Sequence, residues 1–398
     1  MDRTRVRQEI RMMLFEQFYA KQRARSLTQQ EASSLLGIDV RTFRRWSQRY
    51  EAQGAEGLAD KRLGRLSSRC APVDEVLRVL TLFETQYADF TVKHFHEKLQ
   101  TNHDVTRGYT WTKNTLQKAG LVKKAKRRGA HRRKRARKPL PGMMLHQDGS
   151  THEWVPGQLW DLIVTLDDAT GEIYSGFFVE EEGTRSSFQG VADVIARKGL
   201  FNSLYVDRGS HYWHTPTSGQ GVDRKHLTQF HRALREFHIE LIPAYSPQAR
   251  GRSERAFRTL QDRLPKELRL QGITERDSAN RYLRDFFLPS YNQRFSVPAD
   301  EEGTAFVPFI GDTAEILCIQ ESRVVGPDNT VRFRRKCLQI PSDRYRCHYV
   351  HANVRVHEYT DDTLAVFFGP RCLARYNAQG VLFTENPAES PLPAQARS

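Results

Sequence analysis

The sequence lacks the marks of a secreted, disulfide-stapled or membrane protein. Its five cysteines, Cys70, Cys318, Cys337, Cys347 and Cys372, are scattered over 398 residues, and none forms a CxxC pair. An odd, dispersed set excludes a disulfide framework and a cysteine-built zinc site. No apolar run reaches the ~18 residues that a membrane span needs. The first residues, Met-Asp-Arg-Thr-Arg-Val-Arg-Gln-Glu, lack the apolar stretch of a secretory signal. The expectation is a reducing, cytoplasmic setting with no membrane partner. What is present suffices for packed cores: 38% of residues are hydrophobic and 27% charged, which excludes wholesale disorder. The length suits two to three domains.

Charge is distributed unevenly. The chain carries 62 Lys and Arg against 47 Asp and Glu, a net of +15. Residues 1–138 hold 32 and 14 of these, a net of +18, and residues 139–398 hold 30 and 33, a net of −3. A basic front attached to a near-neutral body is the electrostatic footprint of a nucleic-acid binder. Its densest part, Lys123–Lys138, has 11 cations in 16 residues. Such a run repels itself, cannot bury a core, and would track phosphates in a salt-dependent way. Lys123, Lys124, Arg127, Arg128, Arg132 and Arg133 are its candidate phosphate contacts.

Residues 5–22 show helical periodicity, with Val6, Ile10, Met13, Leu14 and Phe18 on one face. Thr28 and Glu31 then form a capping box. Gly37 sits where a tight turn needs positive φ. Ile38, Val40, Phe43 and Trp46 can anchor a second helix, leaving Arg41, Thr42, Arg44 and Arg45 outward. This is the pattern of a helix-turn-helix whose second helix enters the major groove. Three further helices are expected at 73–87, 91–99 and 110–121, a second, winged-helix-like DNA-binding unit with Lys113 among its contacts. His94 and His96, two apart, would point to different sides of a helix.

After Pro139 and Pro141 the pattern changes. Short β runs end at Asp148 and Asp207, strands are expected at 160–167, 172–179 and 239–242, and helices at 185–198 and 227–237. A long helix runs from about 251 to 270. The order β-β-β-α-β-α-β-α is that of a mixed α/β domain. Ligand sites gather at the carboxyl ends of strands in such sheets. Glu254 falls in the first turns of the last helix, where it can lean across that edge. Three carboxylates without His or Cys suit Mg²⁺ or Mn²⁺ rather than zinc.

Three stretches carry a family resemblance: Leu145–Ser150, the Tyr205-Val206-Asp207-Arg208-Gly209-Ser210 turn, and Tyr245-Ser246-Pro247-Gln248-Ala249-Arg250-Gly251-Arg252-Ser253-Glu254-Arg255. They resemble DDE transposases with a retroviral-integrase-like core, closest to bacterial insertion-sequence transposases of the ISNCY type. The resemblance implies an RNase H-like fold with Asp148, Asp207 and Glu254 as catalytic metal ligands for two Mg²⁺ ions, Mn²⁺ substituting. Asp148 would contact both ions. It implies cleavage at transposon ends, attack of the exposed 3′-hydroxyl on target DNA, a homo-oligomer on paired ends, and a nucleoid-associated location. Gln248, Arg250, Arg252 and Arg255 would hold phosphates near the site. The spacing from Asp207 to Glu254 exceeds that of the resembled cores, and His211–Lys225 reads as a loop insertion. Glu236 and Glu240 compete for the third position but lack the Pro-Gln-x-x-Gly lead-in. His146 reads as a packing or hydrogen-bonding residue.

Short strands at 314–319, 330–333, 336–340, 353–359, 364–368 and 372–376 suggest a small C-terminal β-barrel. The expected organisation is multidomain α/β: helix-turn-helix 1–66, second helical domain 67–122, basic linker 123–141, RNase H-like core 142–300, barrel 301–379 and a disordered tail 380–398. The function expected is a DDE-type DNA transposase. A non-catalytic DNA-binding relative and a nuclease without strand transfer are the alternatives.

Overall fold

The computed structural model describes residues 3–59, 71–124, 136–214, 226–245 and 251–383. Arg127, Arg128, Arg132, Arg133, Gln248 and Arg250 lie outside them. The chain divides into two compact units, Met1–Glu84 and Thr85–Ser398.

In the first unit α1 (Arg3–Arg23), α2 (Gln29–Leu36) and α3 (Val40–Gln53) are followed by a 3₁₀ turn, Gly54–Leu58. The expected capping box forms: the Thr28 side chain accepts from Glu31 N–H while the Glu31 carboxylate accepts from Thr28 N–H. Gly37 ends α2 at φ 65°. The core is Phe15, Ala32 and Phe43, with Phe18, Tyr19, Ile38, Trp46 and Tyr50 packed around it. The α1 face differs from the expected one, since Ile10, Met13 and Leu14 are exposed. Phe15 takes the inner position because its ring meets Phe43 at 5.4 Å, Trp46 at 5.7 Å and Tyr50 at 5.9 Å. Burying aromatic surface in such a cluster outweighs the gain from an aliphatic stripe. Val40 begins α3 outside this core.

The helix α4 (Val73–Gln86) crosses the boundary between the units. The second unit continues with α5 (Val92–Asn102) and α6 (Tyr109–Lys118). Both α5 histidines are buried: His94 bonds Glu267 at 2.7 Å and His96 bonds Thr112 at 3.1 Å.

Five strands form the central sheet: β1 (Leu145–Val155), β2 (Gln158–Asp167), β3 (Ile173–Val179), β4 (Ser203–Val206) and β5 (Glu240–Pro243). Their order is β3-β2-β1-β4-β5. β1 pairs antiparallel with β2 and β2 with β3, while β1–β4 and β4–β5 are parallel. Two hydrophobic clusters cover its faces. One brings in α7 (Thr184–Lys198) and α8 (Gln229–Glu236) through Phe188, Val191, Val194, Phe230 and Leu234. The other brings in α9 (Gly251–Leu270), α10 (Arg276–Tyr282) and α11 (Leu288–Phe295) through Phe257, Leu260, Leu264, Ala279 and Tyr291. The result is a layered mixed α/β core, as the sequence pattern predicts.

The C-terminal strands are β6 (Ile319–Val324), β7 (Thr330–Phe333), β8 (Lys336–Gln339), β9 (Asn353–Glu358), β10 (Leu364–Phe368) and β11 (Arg371–Tyr376). They form an antiparallel sheet β11-β10-β9-β6 and a separate β7–β8 hairpin. No closed barrel is found among the described residues. The strand expected at 314–319 instead begins at Ile319, after a 3₁₀ turn at Thr313–Glu315. Glu315 is drawn inward there by His357, Tyr359 and Arg375, which offset its burial and hold its carboxyl at about 2. No helix among the described residues is long and apolar enough to cross a membrane.

Candidate functional site

The edge where β1 meets β4 places two of the expected acids together. Leu145 pairs with Leu204 and His146 with Tyr205. Continuing that register sets Asp148 opposite Asp207, the first residue after β4. Asp148 is buried within β1 rather than at its end, because the strand continues to Val155 by pairing with β2 alone. The expectation that the β run ends at Asp148 is thereby corrected. Gly149 serves space: a Cβ there would overlap the Glu182 carboxylate. Asp207 is half-buried, and its carboxylate accepts from Gly209 N–H at 2.8 Å. Trp213 Nε1 donates to its carbonyl at 3.0 Å.

Glu254 lies exposed in the first turn of α9. Two contacts fix that helix along β1. Arg252 donates to the Asp168 carbonyl at 3.0 Å and ion-pairs with the Asp168 carboxylate, which His146 also bonds at 2.8 Å. Gln261 donates to Ser150 Oγ at 2.9 Å. The helix rise from 252 to 261 and the strand rise from 146 to 150 are both about 13 Å, so α9 runs parallel to β1. Glu254 on the helix and Asp148 on the strand both fall between these anchors. Among the described residues, however, no group of three or more His, Cys, Asp or Glu is arranged to hold a metal ion. The donor chemistry suits a hard cation; the present spacing does not gather all three acids.

The competitors sit elsewhere. Glu240 pairs opposite Ser203, at the far end of the parallel strands from Asp207. Glu236 closes α8 and pairs with Arg232 at 2.8 Å. His146 is buried between Asp168 and the Tyr205 ring. Burial raises the Asp168 carboxyl, but His146, the Lys138 N–H and Arg252 overcome this and hold it well below the usual range.

Sequence reasoning missed Glu182, His211 and Tyr212. Glu182 follows β3, which is parallel to β1 across β2, and so emerges at the same edge. Its carboxylate lies 3.4 Å from His211 Nε2 and 3.4 Å from the Tyr212 hydroxyl. Tyr212 is fully buried and donates to Gln147 Oε1 at 3.2 Å. Burial, reinforced by Glu182, Asp207 and Asp148, pushes its phenol well up. Of these three acids, Glu182 lies in contact with the hydroxyl. The start of the expected loop insertion is therefore core, with Tyr212 and Trp213 both buried; residues 215–225 lie outside the described residues. The acidic triplet Glu180-Glu181-Glu182 after a strand was the available signal.

The expected DNA contacts are mostly outward. Arg41 and Arg45 are exposed on α3, Thr42 is half-buried, and Arg44 donates to Gln29 at 2.9 Å. Lys113, Lys123, Lys124 and Arg255 are exposed.

A helix-turn-helix domain family matches residues 18–66. The chain is 31% identical over 347 residues to y4bF of Sinorhizobium fredii (strain NBRC 101917 / NGR234), which is named as a transposase; the match covers 85% of this chain and 75% of that one. It is 27% identical over 210 residues to the transposase for insertion sequence IS1202 of Streptococcus pneumoniae, covering 53% of this chain and 45% of that one. Among solved structures it overlaps loosely with a simian T-cell lymphotropic virus intasome in complex with PP2A regulatory subunit B56 gamma. The TM-score is 0.33 and the identity 16%, over 70% of this chain and 91% of that one. A looser overlap, TM-score 0.28 at 17% identity, is with the HTLV-2 integrase catalytic core domain in complex with magnesium, over 37% of this chain and 89% of that one.

Proposed function

The chain belongs to the transposases, and from that membership we propose that it binds the ends of a bacterial insertion sequence and cuts and joins DNA in one DDE site. The observation that supports this reading most is the parallel β1–β4 pairing, whose last pair, His146 with Tyr205, stands two residues before Asp148 and Asp207. The β3-β2-β1-β4-β5 order, with three antiparallel strands followed by two parallel ones, supports an RNase H-like core.

Asp148, Asp207 and Glu254 would hold the divalent ions, Mg²⁺ with Mn²⁺ as a substitute. Bound there, the metal supplies an activated attacking oxygen and charge stabilisation on the phosphoryl group. The residues do the positioning. Gly209 N–H and Trp213 fix Asp207, while Arg252 and Gln261 set the level of Glu254 along β1. Arg41, Thr42 and Arg45 on α3 read the ends. Arg44, Lys113, the basic run, Gln248, Arg250 and Arg255 carry phosphate, and two copies pair the two ends; Arg252, taken up by Asp168 and the Ala136 carbonyl, anchors α9 instead of the phosphate role expected for it.

The test is strand transfer with labelled DNA carrying the element's ends and a plasmid target, in Mg²⁺, Mn²⁺ or EDTA. Asp148→Asn and Glu254→Gln should each lower joining by about 10³-fold or more, with end binding retained. Loss in Asp148→Asn alone would remove Glu254 from the site. End binding without cleavage in any metal would instead establish a non-catalytic DNA-binding relative.

A further inference from the structure

The acids at the β1–β4 edge stand beyond the ladder that joins their strands. The parallel pairing ends with His146 and Tyr205, and β4 itself ends at Val206. A side-chain tie crosses past that end. Tyr212, five residues after Asp207, donates its hydroxyl at 3.2 Å to Oε1 of Gln147, the residue before Asp148.

The glutamine is committed to this bond. It is 1% exposed in a central strand, where an apolar side chain would pack without polar cost. Its Nε2 donates to Thr165 Oγ1 at 3.1 Å and to the Ser187 carbonyl at 3.2 Å. Both amide hydrogens are thereby spent, which leaves Oε1 for Tyr212. Gly190 of α7 makes room, since a Cβ there would overlap Gln147 Nε2. Ser187 Oγ donates to the Tyr212 hydroxyl at 3.2 Å, so the phenol is bonded from two sides.

The tie lies behind the sheet. Side chains alternate along a strand, so His146, Asp148 and Ser150 share one face of β1, and Gln147 and Gly149 share the other. α9 covers the first face: Arg252 reaches Asp168 beside His146, and Gln261 reaches Ser150. α7 covers the second, where Tyr212 packs in one cluster with Phe188 and Val191. Glu182 rests against Gly149 on that rear face as well. Tyr212 thus stands on the opposite side of β1 from the Asp148 carboxylate.

We propose that Tyr212, through Gln147, is a positioning residue that fixes Asp207 against Asp148 from the rear of the sheet. A fully satisfied buried network is rigid, and groups that orient metal-holding side chains tune how well those side chains hold. The inference rests on the proposed function in taking the two acids as the reacting edge.

The test titrates the full chain with Mn²⁺ by calorimetry, without DNA and below every variant's melting temperature, with Asp148→Asn as the baseline for binding elsewhere. Tyr212→Phe removes only the hydroxyl. It should weaken Mn²⁺ binding about 10-fold and slow joining at saturating DNA by about as much, with end binding unchanged. Ser187→Ala cuts the other bond of the same hydroxyl, on the α7 side. It should lower the melting temperature about as far as Tyr212→Phe does, yet keep Mn²⁺ affinity within about 2-fold. Gln147→Met cuts the tie from β1, and combining it with Tyr212→Phe should add little to either single loss. Unchanged Mn²⁺ affinity in Tyr212→Phe would overturn the proposal and leave the transposase reading intact. Equal weakening in Ser187→Ala would reduce the effect to general loosening and sink it too, as would additive losses in the double variant. An unaltered chain that binds no more Mn²⁺ than Asp148→Asn would remove the metal reading of the edge and this inference with it.

Discussion

Two helical regions precede the α/β core, and they are held by different physics. In α1–α3 the grip is apolar: Phe15, Ala32 and Phe43 are fully buried and ringed by aromatics. In α5 it is charged. Glu97 accepts from Arg263 at 2.5 Å and Arg294 at 2.6 Å, and Glu267 takes His94 and Lys98, each at 2.7 Å. Apolar contact is non-directional and tolerates adjustment. Paired buried charges demand fixed geometry and penalise every departure from it. The first region is built as a self-contained module; α5 is keyed to α9, the helix that carries Glu254.

The largest test of that contrast is Phe43→Ala. It should cost the first unit about 3–5 kcal/mol through the cavity it opens. Calorimetry should show a lowered first transition and an unshifted second one; a common shift would erase the distinction. Glu97→Gln should cost about 3 kcal/mol in the second unit, since it leaves Arg263 and Arg294 facing a neutral amide. Urea melts followed by the near-ultraviolet signal would check it, and a loss under 1 kcal/mol would place the pair with ordinary surface bridges.

Acid should separate the regions more gently. Burial lowers the His94 pKa, so below pH 6.5 the unfolded chain takes up that proton first and docking weakens. Burial raises Glu267, but bonds from His94 and Lys98 prevail and lower it. Its contribution is therefore complete above the ordinary carboxylate pKa of 4.5 and fades as pH falls below that. Hydrogen exchange, corrected for intrinsic rate, should show α5 losing protection between pH 7 and 4 before α1–α3 does. Simultaneous loss would mean that charge is not what holds α5.

Local chemistry made much of this readable in the chain. Thr28, Glu31 and Gly37 act on neighbours three or four residues away, so the turn between α2 and α3 was visible. Alternating and continuous apolar runs likewise placed β2, β3 and β4. Asp148 and Asp207 stood out because each closes an apolar run. What escaped notice depends on distant partners. Phe15 displaced the expected α1 face because of rings on α3, and Glu182 gains its place from Gly149, which lies on another strand. Tyr212 looked like part of a polar loop, and only Gln147, Ser187 and Glu182 explain its burial.

The basic run ends in stitches rather than in slack. Arg137 donates to the Asp168 and Ala169 carbonyls, each at 3.0 Å, Lys138 N–H meets the Asp168 carboxylate at 2.8 Å, and Arg252 holds the Ala136 carbonyl at 2.9 Å. Arg252 stands two residues before Glu254 on α9. The polyelectrolyte segment and the first turn of the acid-bearing helix are thus hitched to one post, Asp168. On the proposed reading, a duplex that engaged the basic segment would act at the same post that fixes the first turn of α9.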